Sequence, residues 1–428
     1  MSEINIVSFT HSEDLDGIGS QAIVHRYFKV LKHKPDKSLL NRSSLTETQI
    51  DSIEKINLNY VRTDYTDYLY YIAALFAQNM DKFNSSFIEK MGVVKAGFID
   101  KWNTILKILF KTQKYAENDE PLDIIIPSTY DIILKIKDSL KNVHLLILTD
   151  LGFNPSFKCL FPFLSNSRIS LTYFDHHEQD EITQKFFSDL CGAYIIDAKR
   201  CASEIIQDYF LPDDKIANKI ADYSHDSDFR KWEIKETEKW QTIIGKYSRN
   251  YDVLDMFVNN FAIGNFSAPE IEQLYQDLLK WQKSQENYLM EHITKKKITL
   301  FGIGGIEFSF SASDMRPGRS LRVIEQKYEE IFEHKFKFFD QEHHFIMIAI
   351  NITTGKVNIN SNIINVYKIA SYFGGGGHVE RAGFSLPTQY IKDDVKSNNY
   401  YEKLKMEDFI RDIIELISQV SELVKYDV

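Results

Sequence analysis

Three runs of apolar, largely β-branched residues stand out along the chain, and each is followed at once by acids or histidines. INIVSF, at 4–9, leads into THSEDLDGIGS; VHLLILT ends at Asp150, with Gly152 just beyond; ISLTYF ends at Asp175, His176 and His177. Continuous apolar runs of this length, bounded by turn residues, read as strands buried on both faces. Helical spacing follows in QAIVHRYFKVL at 21–31, ASEIIQDYF at 202–210 and KIANKIADYS at 215–224. Strands alternating with helices predict an α/β fold in which helices wrap a parallel sheet. The C-terminal ends of parallel strands lie along one edge, which is where open α/β sheets collect ligands.

The spacing between the first and second runs is long. It holds YTDYLYYIAALFAQNM and FIDKWNTILKILFKTQKY, which read as a helical insertion at about 66–120 whose apolar stripes are packing faces. Further on, Ser267 and Glu270 have capping-box spacing, and Ile271, Leu274, Tyr275, Leu278 and Leu279 form one apolar stripe, predicting a connecting helix within 261–297. The expected organisation is a catalytic parallel-sheet domain at 1–260, the connector, and a smaller α/β domain at 298–428 that binds substrate in a cleft between the two.

Composition narrows the partners. With 43% hydrophobic residues the 428-residue chain can fill two cores, and its net charge of −10 argues against coating long nucleic acid. The three cysteines, Cys159, Cys191 and Cys201, lack metal-type pairing, so neither a disulfide framework nor a thiolate zinc site is expected. The first residues lack a basic-then-apolar signal, and no apolar run reaches the ~20 residues needed to span a bilayer. These features predict a soluble, cytoplasmic protein with no membrane partner; a homodimer is left open.

The sheet edge gathers His11, Asp14, Asp16, Asp150, His176 and His177, and ADYSHDSDF offers Asp222, Asp226 or Asp228. On the plainest reading, Asp14 and Asp16 merely cap the following helix. Yet carboxylates packed this densely repel one another and take up protons unless cations bind between them. Oxygen donors with imidazoles suit Mn²⁺ or Mg²⁺. Two such ions are the usual apparatus for displacement at phosphorus, one activating water and the other bracing the leaving oxygen.

The ordered motifs resemble those of the DHH phosphoesterase superfamily. DLDGIG is similar to its first motif, strand-end Asp150 to its second, FDHHE to its third and the acids near Asp226 to its fourth. YFGGGGHVERAGF, at 372–384, resembles the glycine-rich signature of the superfamily's DHH-associated C-terminal domain in its nanoRNase or oligoribonuclease-like branch. CASEIIQDYF resembles a helix of its short-oligonucleotide hydrolases. The resemblance implies His11, Asp14 and Asp150 on a first metal, with Glu13 as an alternative donor to His11. It implies Asp16, Asp150, His176 and Asp226 on a second, with Asp228 as the alternative to Asp226. Asp150 would bridge the two, Asp175 would orient His176, and His177 would face the phosphate or bridging water. Two divalent cations follow, Mn²⁺ first, with Mg²⁺ or Co²⁺ as alternatives.

The glycine run has a physical reading of its own. Gly374, Gly375, Gly376 and Gly377 would weaken a helix or strand, so a compensating use is expected: bare backbone that lets a phosphate or base approach, with His378 and Arg381 beside it. A flexible turn is the plain alternative. Where relatives carry a strand arginine before the glycines, KVNINSN has Asn360. Arg316, Arg319 and Arg322 flank a Pro-Gly turn that opens a helix and are candidates to hold phosphate instead. His343 and His344 precede a strand-like run and are expected to face solvent. Taken together, the sequence implies a metal-dependent phosphodiesterase acting on short oligonucleotides (nanoRNA) or small cyclic nucleotides. The alternatives are a 3′-phosphoadenosine phosphatase and an inactive nucleotide-binding or scaffold protein.

Overall fold

The structure, a computed structural model, describes residues 2–43, 45–63, 71–72, 74–75, 78–79, 137–152, 161–338, 342–352, 355–387, 390 and 405–420. The chain divides into two compact units, Met1–Tyr275 and Gln276–Val428.

The first unit is built on five parallel strands, β1 (Ser2–His11), β2 (Ile53–Thr63), β3 (Leu145–Thr149), β4 (Ser170–Asp175) and β5 (Ala193–Ile196), in the order β2-β1-β3-β4-β5. The three apolar runs are the three central strands. Every residue of β3 and β4 is buried, as expected of strands covered on both faces. The edges, β2 and β5, are not visible as apolar runs: β2 carries polar residues on its exposed positions and β5 is only four residues long. Register then places the site. Thr10 lies opposite Thr149, and Thr149 opposite Phe174, so one residue further His11, Asp150 and Asp175 stand side by side.

Eight α-helices accompany this sheet among the described residues: α1 (Leu15–His25), α2 (Glu47–Asp51), α3 (Phe161–Asn166), α4 (Glu181–Leu190), α5 (Ala202–Phe210), α6 (Lys215–Asp228), α7 (Lys235–Lys246) and α8 (Tyr251–Ala262); the next helix, α9 (Pro269–His292), crosses the division at Tyr275. Helix α1 starts earlier than the spacing at 21–31 implies, because Asp14 caps it, and runs into a π-turn at Arg26–Val30. All its residues from Leu15 to Val24 are buried, since it lies beneath α5, α6 and α8. The helices expected at 66–120 lie outside the described residues, apart from helical pieces at 71–72, 74–75 and 78. In α9, Ile271 and Leu278 of the expected stripe are buried, but Leu279 faces solvent.

The second unit has a six-stranded mixed sheet, β6 (Thr294–Leu300), β7 (Ile303–Ser313), β8 (Phe345–Asn351), β9 (Lys356–Ser361), β10 (Gly376–Gly377) and β11 (Arg381–Ser385), ordered β10-β11-β9-β8-β7-β6. Only β7 and β8 run parallel, joined through α10 (Pro317–Gln326) and α11 (Tyr328–Phe332). Alternate residues of β8 divide between two cores: Phe345, Met347 and Ala349 pack with α10, α11 and Leu289. Ile346, Ile348 and Ile350 pack with α12 (Val366–Tyr372) and α13 (Met406–Val420). Among the described residues, no helix is long and apolar enough to cross a membrane.

Candidate active site

Strand β1 ends at His11, and the chain turns into α1 within a few residues. Asp14 caps that helix, its Oδ1 accepting from the Gly17 N–H at 3.0 Å, while its Oδ2 lies 2.5 Å from His11 Nδ1. Capping and clustering are therefore both true of Asp14. The turn is tight enough that a Cβ on Gly17 would stand 2.1 Å from the His11 carbonyl oxygen. Asp16, in the first turn, is gripped from across the fold, its two oxygens accepting from the Ala202 and Ser203 N–H groups at 2.7 Å each, at the start of α5.

Asp150 follows β3 in the left-handed region, at φ 51°, a conformation uncommon for non-glycine residues and found where the surroundings enforce it. Its own N–H is tied to the Phe174 carbonyl at 3.1 Å. Its Oδ1 lies 3.3 Å from His176 Nε2, and its Oδ2 is buried without a hydrogen-bond partner.

Asp175 is fully buried and accepts from the Tyr173 hydroxyl, the Gly152 N–H and the His176 N–H, each at 2.8 Å, and from His177 Nδ1 at 2.7 Å. This corrects one expected role. The imidazole that Asp175 orients is that of His177, because the side chain two residues past the strand end folds back over the carboxylate. The His176 ring instead spans Asp150 and Asp228, its Nδ1 lying 3.5 Å from Asp228 Oδ2.

The fourth-motif acid is also corrected. Asp226 takes no part in the cluster; it accepts from the Glu233 N–H at 2.8 Å, the Ile234 N–H at 3.3 Å and the Thr237 hydroxyl, bracing the start of α7. Asp228, the alternative, joins Asp16 and His176 in a group whose donor atoms lie within 4.8 Å of one another. Two further such groups are His11, Asp14 and Asp150, and Asp150, Asp175, His176 and His177; Glu13 is in none of them. Asp222 is exposed on α6. One positioning residue carries no sequence signal: Gln241 of α7 accepts from the Leu15 N–H at 2.8 Å and the Ser227 hydroxyl at 3.0 Å, and donates to the Glu13 carbonyl at 3.1 Å. It thereby ties the first motif to the fourth.

The charges sort themselves by surroundings. Burial, with the neighbouring charges of Asp14, Asp16, Asp175 and Asp228, pushes the Asp150 carboxyl well above the usual range. Burial and the Asp228 charge push Asp16 up to about 6. Asp228 is also raised, chiefly by burial. Burial works the same way on Asp175, but the hydrogen bond and charge of His177 and the Tyr173 hydroxyl outweigh it and hold that carboxyl low. The same pairing lifts the His177 imidazole against its burial. Such a centre fits divalent cations: it joins carboxylates that resist ionising together, two imidazoles and an orphaned buried oxygen on Asp150. His11, Asp14 and Asp150 would hold one ion; Asp16, His176 and Asp228 would hold another, with Asp150 beside His176.

In the second unit the glycines form no loose turn. Gly376 and Gly377 pair with Gly383 and Ala382 as the exposed edge of the sheet, and the His378 N–H donates to the Arg381 carbonyl at 2.7 Å. A Cβ on Gly375 would meet the Gly383 carbonyl oxygen at 2.1 Å, so at that position the close approach requires glycine. Gly374 and His378 are both exposed. Arg381 sits directly opposite Asn360 across the β9–β11 pair, 3.8 Å from Glu325 and with its guanidinium over the Phe338 ring. An arginine thus reaches this part of the sheet from the neighbouring strand. Arg316, Arg319 and Arg322 are exposed around the start of α10, and Arg319 pairs with Glu286 at 3.0 Å. His343 and His344 do not face solvent as expected; both are half-buried.

Fold and site together define a class: an α/β protein with a carboxylate–imidazole centre at the C-terminal edge of a parallel sheet. Solved structures similar to the chain include a DHH domain described as a member of a family of ribosomal proteins, at 11% identity and a TM-score of 0.47 over 97% of this chain and 87% of that one. The pGpG-specific phosphodiesterase PggH from Vibrio cholerae is similar at 10% identity and a TM-score of 0.38, over 97% and 98%. Exonuclease RecJ bound to manganese is similar at 9% identity and 0.42, over 90% and 86%. No family model and no curated protein matches the sequence.

Proposed function

We propose that this chain is a divalent-metal-dependent phosphodiesterase of the DHH phosphoesterase type, acting on short oligonucleotides or small cyclic nucleotides. The observation that carries this reading is the gathering of three overlapping donor groups, His11/Asp14/Asp150, Asp16/His176/Asp228 and Asp150/Asp175/His176/His177, around an Asp150 oxygen that lacks a hydrogen-bond partner. Two divalent ions, when bound, would neutralise the phosphate and activate water.

The chain's own groups do the rest. Asp175 keeps the proton of His177 on Nδ1 and turns Nε2 toward the position of a phosphate oxygen, while the imidazole's raised affinity for a second proton lets it donate there. Hydrogen bonds from Ala202 and Ser203 fix Asp16 before any substrate arrives. In the second unit, the exposed glycine edge, His378 and Arg381 supply donors suited to a nucleotide, with Arg316 and Arg319 as further cations.

The test is a single panel with Mn²⁺: a linear dinucleotide, longer RNA, a cyclic dinucleotide, 3′-phosphoadenosine and a small artificial phosphodiester. Hydrolysis of the dinucleotide or the cyclic dinucleotide, abolished in Asp150→Ala, is the expected result. Release of phosphate from 3′-phosphoadenosine alone would replace the diesterase reading with a phosphatase one. No turnover of any substrate would leave the protein a binder.

A further inference from the structure

A second cluster lies wholly within the second unit. Glu307 is on β7, on the face that otherwise carries Ser309, Ser311 and Ser313, and is only 2% exposed. A carboxylate so placed must be compensated. Its Oε2 accepts from the Tyr328 hydroxyl at 2.7 Å, and His334 Nε2 stands 3.0 and 2.9 Å from its two oxygens. Lys297 is 3.9 Å away, but its side chain is mostly in solvent, where such a pair adds little. The His343 ring stacks on that of His334, with centroids 3.8 Å apart. One donor atom from each of Glu307, His334 and His343 lies within 4.8 Å of the others.

The surroundings hold these groups in place. The Glu307 N–H donates to the His344 carbonyl at 2.8 Å, and Asn362 Nδ2 donates to the His343 carbonyl at 2.9 Å. His334 Nδ1 faces the Lys335 carbonyl at 3.3 Å, so Nε2 is the nitrogen turned toward Glu307. That is the usual arrangement of a metal-ligating histidine, whose other nitrogen gives its proton to a carbonyl. One divalent cation satisfies all three donors together.

We propose that Glu307, His334 and His343 bind a single transition-metal ion of the Zn²⁺ class, which fastens the segments before β8 to β7. Two imidazoles and one carboxylate are a familiar zinc set that leaves a fourth position for water. Richer in nitrogen than the first unit's centre, it favours a different metal.

The test uses the full chain with the first centre silenced by Asp150→Asn and His176→Ala together. After chelation, Zn²⁺ titration should show one ion per chain, and Co²⁺ should give the visible absorption of a four-coordinate site. His343→Ala and Glu307→Gln, each added to that background, should weaken binding at least about tenfold. His343 is half-buried, so its variant decides the matter if Glu307→Gln does not fold. Absence of stoichiometric Zn²⁺, or binding unchanged in His343→Ala, overturns the proposal and leaves a His334–Glu307 ion pair.

Discussion

Replacing Asp150 by asparagine should stabilise the metal-free protein at neutral pH while weakening its response to metal. The carboxylate is buried, pushed well above the usual range, and one oxygen has no partner. Between its unfolded and folded pKa such a group holds more protons in the native state than in the unfolded one. Stability therefore falls as pH rises through that window, and the loss is complete above the folded pKa. Asp16 gives the scale. Its displacement from the ordinary 3.8 to about 6 corresponds to roughly 3 kcal/mol lost between acidic and neutral pH. Asp150 acts in the same direction, and leaving a buried polar group unsatisfied costs about 1–3 kcal/mol, more when it is charged.

In calorimetry after chelation, wild type and Asp150→Asn should melt close together near pH 5. At pH 7.5 the variant should melt a few degrees higher, since each kcal/mol moves a domain of this size by about 2–4 °C. Adding Mn²⁺ should reverse the order, because about 100-fold excess over Kd stabilises wild type by about 2.7 kcal/mol. A metal-free wild type at least as stable as the variant at pH 7.5, or equal Mn²⁺ stabilisation of both, would refute the reasoning.

Four further outcomes are expected. Asp228→Asn should lower metal affinity, read by isothermal titration, by roughly 100-fold; Asp226→Ala should instead cost about 2 kcal/mol in denaturant unfolding by freeing the Glu233 and Ile234 N–H groups. His378→Ala should slow dinucleotide hydrolysis about tenfold yet spare a small artificial phosphodiester, which has no distal nucleotide to hold; equal losses on both would assign His378 to folding. On a labelled RNA ladder, rates should fall steeply beyond roughly five nucleotides, because this acidic chain lacks the net positive charge that long strands require of a groove.

What the sequence made legible was what burial writes strongly. Strands β1, β3 and β4 are covered on both faces and appear as mainly apolar runs, so their order of acids and histidines could be read directly. Edge strand β2, with polar residues on its open positions, leaves no comparable trace. The choice between Asp226 and Asp228 turned on helix geometry. Two residues apart on α6, they point about 200° from one another, so only one can face the strand ends. Local sequence does not say which, because that depends on how α6 packs. The replacement of a strand arginine by Asn360 misleads for a similar reason: Arg381 stands opposite it on β11, a relation that exists only through strand pairing. The Glu307 group likewise joins residues distant in sequence through the β7–β8 register.

The choice between a working centre and an inert scaffold rests on what holds each acid. Asp175 is fully satisfied by five donors and would be content in any buried polar network. Asp16 is different: two backbone N–H groups at the positive end of α5 favour its charge, yet its carboxyl is still pushed up to about 6 by burial and by Asp228. Asp150 is less satisfied again, left-handed in backbone and with an oxygen bonded to nothing. A scaffold gains nothing from this. Asparagine at either position would remove a charge that the fold does not neutralise, and strained or unsatisfied groups persist where function requires them. The unmet demand converges on the space between His11, Asp14, Asp150, His176, Asp16 and Asp228, and positive charge is what it lacks. Cations bound there would supply the charge that the fold itself does not.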